Sequence, residues 1–282
     1  MACLLGSAIV LLLRRPRLAG TTLVAPATWM LFALVVLSLT FLAETVMQPT
    51  PSASAAIRYL AGTCTLCPLM AVLGAKRPQN TGWQFIVGTL WLVLILPVGE
   101  MFILWTGGAM DVGSMRSWFL LILLLVGVTN YLLTRFAIVA LLGTVGQSLL
   151  LLPHLPGQVT WEPHFVVGAT LIVSACCLLC WSTQRTRTGG KWNLVWIEFR
   201  DWFGLVWGLR VMERINEAAR LCEWERELTW FGFEENDSQE ESSDREQVES
   251  MDQKQIEVER TMRTTLRRFV SPEWIEQRHG SL

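Results

Sequence analysis

The sequence predicts an all-α protein, a polytopic bundle of six or seven membrane helices with a helical cytoplasmic tail. Three observations carry that expectation. The 282-residue chain is 52% hydrophobic and only 17% charged. Its charge is split: residues 1–191 hold 11 Lys/Arg against 4 Asp/Glu, and residues 192–282 hold 12 against 20, so a front of net +7 precedes a back of net −8. A positive, apolar front and an acidic back read as a membrane domain (1–191) and a water-exposed tail. Finally, apolar stretches recur at the length a bilayer requires, about 20 residues for a core roughly 30 Å thick.

Those stretches run over roughly 23–47, 55–75, 83–105, 117–134, 136–153 and 163–182. Lipid leaves loose backbone unsatisfied, and the alternation of a membrane barrel is absent, so helices are the spanning form. Residues 1–13, MACLLGSAIVLLL, are short for a span and carry their basic RRPR behind the apolar run, opposite to a secretory signal. They form the seventh helix or the remnant of a longer one.

Orientation follows from the basic loops. Arg14, Arg15 and Arg17, then Lys76 and Arg77, then Arg135, then Arg185, Arg187 and Lys191 fall in every second connection. The positive-inside rule puts these loops and the C-terminus in the cytoplasm, here of a bacterial cytoplasmic membrane. Trp83, Trp105, Trp118, Trp161 and Trp181 stand near predicted helix ends, at headgroup level.

The tail divides into three. Residues 192–233 predict a juxtamembrane amphipathic helix, with Val211, Met212, Ile215, Ala218, Ala219 and Cys222 on one face and Arg210, Glu213, Glu217, Arg220 and Glu227 on the other. Its early Trp192, Trp196, Trp202 and Trp207 suit a helix lying in the membrane interface; a docking face for a cytoplasmic partner is the second reading. Residues 234–250 are acidic and predict a disordered linker. Residues 251–282 predict a helical segment, with Val248, Met251, Val258, Met262 and Phe269 at three- and four-residue steps once Gln255 and Thr265 fill the gaps, and Ser271-Pro272-Glu273 opening a last helical turn. Partnering or self-association through 192–282 is the expectation for this material.

Chemistry is sparse. No phosphate loop, dinucleotide fingerprint or nucleophile elbow occurs, and the acidic tail argues against a nucleic-acid partner. Seven cysteines at irregular spacing form no disulfide framework. Polar groups inside the membrane domain are the default binding candidates. Glu44, Arg58 and Glu100 all fall toward the outer ends of their helices and could line a polar pocket for a solute; the bland alternative is Arg58 paired with one Glu as structural glue. His154 and His164 invite a metal, yet their ten-residue separation matches no ligand spacing, and solvated loop histidines are the simpler reading. No cofactor is implied.

Cys64 and Cys67 form a Cys-X-X-Cys followed by Pro68. At a helix start with free N–H groups such a pair is a redox site; in apolar surroundings the thiols are inert. Pro68 lacks an N–H and leaves the Cys64 carbonyl without its helical partner, so the helix is expected to break there. The pair is read as catalytic candidates of a membrane thiol oxidoreductase or, in preference, as small packing groups. Asn130 and Gln147 predict interhelical hydrogen bonds. The leading functional expectation is a non-enzymatic membrane component or scaffold presenting a cytoplasmic interaction tail. A solute transporter comes second, an oxidoreductase third.

Overall fold

The computed structural model describes Gly6, Ala8 and residues 18–77, 79–103, 110–157, 159, 161–181, 191–222, 224, 226–235 and 245–279. Most of residues 1–13, Trp105, Arg185, Arg187 and residues 236–244 of the acidic linker lie outside them. The chain divides into two compact units. The first is Met1–Ala19, Leu23–Ala75 and Gln79–Arg185; the second is Gly20–Thr22, Lys76–Pro78 and Thr186–Leu282.

Unit 1 is helical. Helix α1 (Val24–Met47) ends where Gln48 turns left-handed at φ 45° ahead of Pro49. Thr50 then caps α2 (Pro51–Cys64) by accepting the Ala53 N–H, with Pro51 at the first helical position, where a missing N–H costs nothing. After Thr65 and Leu66 the same direction resumes as α3 (Cys67–Leu73). Helices α4 (Asn80–Leu94) and α5 (Leu96–Ile103) meet at a 46° bend just before Pro97. Then follow α6 (Ser114–Leu132), α7 (Ala137–Leu150), a single 3₁₀ turn Leu152–His154 and α8 (His164–Trp181).

Four of these are long and apolar enough to cross a membrane: α1, the α2–α3 pair, α6 and α8; the bent α4–α5 pair makes a fifth if it is one span. The stretch expected over 136–153 is shorter, a 14-residue helix α7. The α2–α3 pair is the central one, with 72% of its apolar window buried against 39% or less in the other three. Around it pack Leu34 and Leu37 of α1, Val87 and Leu94 of α4, Leu120 and Leu124 of α6 and Leu150 of α7, all buried. Helices α7 and α8 cross closest. A Cβ on Gly146 would stand 2.9 Å from the Gly168 carbonyl oxygen, so only small residues allow this approach.

Unit 2 rests on α9 (Lys191–Leu221), which kinks at Gly204, where φ 76° and ψ −170° suit only glycine. Past Leu221 the expected helix gives way to an antiparallel hairpin, β1 (Arg226–Thr229) and β2 (Gly232–Glu235), in the register Leu228↔Phe233 and Thr229↔Gly232. The physical reason is a change of period. Leu228 is buried between exposed Glu227 and half-buried Thr229, a two-residue alternation, and Gly232 supplies the φ of +137° that closes the turn. The chain ends in α10 (Arg245–Leu266), which begins inside the stretch predicted as linker, and α11 (Pro272–His279). Ser271 opens α11 by accepting the Trp274 N–H.

The core of this unit is aromatic. Phe269 meets the rings of Phe199, Phe203 and Trp207 at centroid distances of 5.3, 5.4 and 4.9 Å. Trp196, Val211, Ile215 and Ala219 are buried with them. The α9 face predicted to rest on lipid is therefore occupied by the chain itself. Two asparagines clip the hairpin to α9: Asn216 exchanges two hydrogen bonds with the Leu228 backbone, and Asn193 Oδ1 accepts the Phe233 N–H. The two short inter-helix segments belong here as well. Thr22 N–H donates to the Phe269 carbonyl, Ser271 N–H to the Gly20 carbonyl and Arg77 N–H to the Arg268 carbonyl.

Candidate functional site

Polar side chains in unit 1 concentrate where helices are broken. At the α2–α3 break, Leu69 N–H bonds the Leu66 carbonyl rather than that of Thr65 four residues back. The freed Thr65 carbonyl accepts from Gln147 Nε2 at 2.7 Å, wholly buried. The α4–α5 bend repeats the pattern. Val98 N–H turns to Ile95, and the Leu94 carbonyl accepts from the Tyr59 hydroxyl at 2.9 Å. At the end of α3 the Met70 carbonyl accepts from Trp83 Nε1 at 2.8 Å, and Gly74 makes room for that indole because a Cβ would overlap it. In an apolar interior an unmet carbonyl costs about 1–3 kcal/mol, so each donor is a structural requirement.

Cys64 and Cys67 flank the first break with their thiols in hydrogen-bonding contact; both are free, and both are 0% exposed. Cys67 packs among Tyr59, Leu66, Met70 and Leu94. Buried thiols out of reach of water exchange no disulfides. The two residues sit together as the spacing requires, in surroundings that suit packing.

Of the outer polar residues, Glu44 and Arg58 form an ion pair through Arg58 Nε, and Ser54 Oγ donates to the same carboxylate oxygen at 2.7 Å. The Arg58 guanidinium also lies over the Phe165 ring, 5.3 Å from its centroid. Glu100 is exposed on α5. A cavity of about 10 Å³ beside Asn130, bounded by Leu69, Met70, Leu73 and Gly127, has room for at most one water.

His154 is largely buried, its ring edge-on to Tyr59 at 4.7 Å. Burial, with the His164 charge second, lowers its pKa to about 4. His164 Nδ1–H donates to the Trp161 carbonyl, so that ring is committed to its own turn. Among the described residues no three His, Cys, Asp or Glu side chains gather closely enough to hold a metal.

Sequence reasoning passed over Tyr59 and Trp83 as donors, because neither is charged. The usable signal was a phenol and an indole within apolar helices, since carbonyls freed at the bend before Pro97 and at the end of α3 need a donor nearby. It also passed over the Gly20–Thr22 and Lys76–Arg77 segments, too short to carry any periodicity. Comparison with protein-family models, with curated proteins and with solved structures finds no match to this chain.

Proposed function

We propose that this protein is a non-enzymatic multi-pass component of a bacterial cytoplasmic membrane, with its C-terminus in the cytoplasm, whose second unit engages a protein partner or a second copy. The finer membrane count in this proposal is six spans, the stretch 136–153 around α7 being the sixth, or seven with residues 1–13. One observation carries the reading: the tail is a folded body with its own aromatic core, joined to the spans at three points of the chain rather than one. A folded unit of that kind, attached to apolar helices, suits recognition. Leu221 at 80%, Phe231 at 78% (at the hairpin turn) and Ile256 at 67% exposure are among the apolar side chains it offers to a partner.

Transport through Glu44, Arg58 and Glu100 has less support, since the first two satisfy one another. Thiol exchange at Cys64 and Cys67 has less still, given their burial.

The test is photo-crosslinking of the full-length protein in native membranes from position 231, with Glu213 as a second exposed position and Leu39 as a lipid-facing control. A single dominant protein adduct from the unit 2 positions supports the proposal. Adducts no more abundant than at Leu39, together with loss of solute uptake in Glu44→Gln and Arg58→Ala at unchanged abundance, would replace it with transport.

A further inference from the structure

Unit 2 is acidic as sequence, yet one part of its surface is not. Lys76, Arg77, Arg267 and Arg268 come together because Arg77 N–H donates to the Arg268 carbonyl at 2.7 Å and Arg77 Nη2 donates to the Gly20 carbonyl at 3.0 Å. The Thr21–Val270 bridge and the Ser271 N–H to Gly20 bond hold the same turn from the other side. Gly20 has φ +81°, and a Cβ on it would run into Ser271, so the turn is built around a glycine. Arg77, Arg267 and Arg268 are exposed and Lys76 half-buried. Glu273 lies beside Arg77; Ser271 first, its own N–H and then Arg77 hold its carboxyl below the usual range. Four cations gathered at one turn make a positive patch on a unit that is acidic as sequence.

Covalent reach fixes what that patch can meet. Lys76 and Arg77 follow Leu73, the end of the central apolar helix pair, by three and four residues, which is at most about 11 and 14 Å of chain. Thr22 stands two residues before Val24, the start of another apolar helix. Cations tethered this close to span ends lie at headgroup depth, where phosphodiesters are the available anions and guanidinium forks bind them bidentately.

We propose that Lys76, Arg77, Arg267 and Arg268 form a binding surface for the headgroup of an anionic phospholipid. This rests on the apolar spans and not on the protein-partner reading, so either can fail alone. Full-length protein in mild detergent, titrated with phosphatidylglycerol or phosphatidylcholine and read by native mass spectrometry, tests it. Phosphatidylglycerol should bind the tighter, by about 5-fold for each cation engaged. R267Q/R268Q should weaken phosphatidylglycerol about 25-fold and leave phosphatidylcholine alone, while R267K/R268K keeps the preference. R214Q/R220Q, two exposed arginines of α9, should change nothing. Equal binding of the two lipids, an undiminished preference in R267Q/R268Q, or displacement by about 20 mM inorganic phosphate as effective as by lipid would each overturn the proposal.

Discussion

The two units solve opposite problems with the same backbone. In unit 1 the outside is apolar, with Phe85 at 78%, Ile138 at 69% and Leu39 at 57% exposure, and the polar side chains turn inward to broken helix ends. In unit 2 the outside is charged and aromatic rings turn inward onto Phe269. The difference follows from the solvent. Water satisfies a stray carbonyl on unit 2, so its stability can come from burying large rings. No such help reaches the middle of an apolar bundle, so there each proline-induced break needs a donor built in.

The sharpest way to break this contrast is Phe269→Ala. Removing a buried phenyl ring in contact with three others costs about 3–5 kcal/mol, a large share of what a small unit has. Proteolysis of the full chain in nanodiscs should cut within 192–282 and spare 24–181. Simultaneous loss of both would show that the units unfold as one and that the contrast is only descriptive.

The next effect is a pH dependence in unit 1. His154 titrates near 4 in the folded chain against 6.5 when unfolded, because burial resists its charge. Between those values the unfolded chain binds the extra proton, so stability is complete above about pH 6.5 and falls toward pH 4, by up to about 3 kcal/mol. Thermal melts at pH 7 and pH 4.5 should differ less in His154→Gln than in the parent. An equal difference in both would remove His154 from the account.

Gln147→Leu comes third. It keeps the volume and orphans the Thr65 carbonyl, which should cost about 1–3 kcal/mol in a detergent melt. Cys64→Ala and Cys67→Ala at the same break delete apolar volume without orphaning a carbonyl. If either cysteine variant melts lower than Gln147→Leu, packing rather than capping holds that break.

These positions also mark how much could be read in the sequence. Pro68 announced its break, since a residue without an N–H cannot complete the ladder, and Gln147 announced an interhelical bond by being an amide in an apolar helix. Its acceptor stayed hidden, because which carbonyl faces α7 depends on how the helices rotate about their axes. The same rotation decides that Arg58 finds Glu44, a partner the sequence left open between two acids. The aromatic face of α9 was legible as a face; what covered it was not, because Phe269, which meets Phe199, Phe203 and Trp207, is contributed from beyond the acidic stretch and α10.

The smallest expected effect tests that rotation directly. The Glu44–Arg58 pair is partly open, with side-chain exposures of 16% and 33%, so solvent screens it. A double-mutant cycle with Glu44→Gln and Arg58→Gln should return a coupling of about 0.2–1 kcal/mol, as for other exposed pairs. Ser54 Oγ donates to the same carboxylate oxygen, and its loss in Ser54→Ala should lower the coupling slightly by loosening the geometry. A coupling of 3 kcal/mol or more would mean that lipid rather than water surrounds the pair, since a desolvated charge left alone is far costlier. Polar groups of unit 1 would then include an ion pair held in hydrocarbon, and the line between the units would no longer follow which solvent their charges meet.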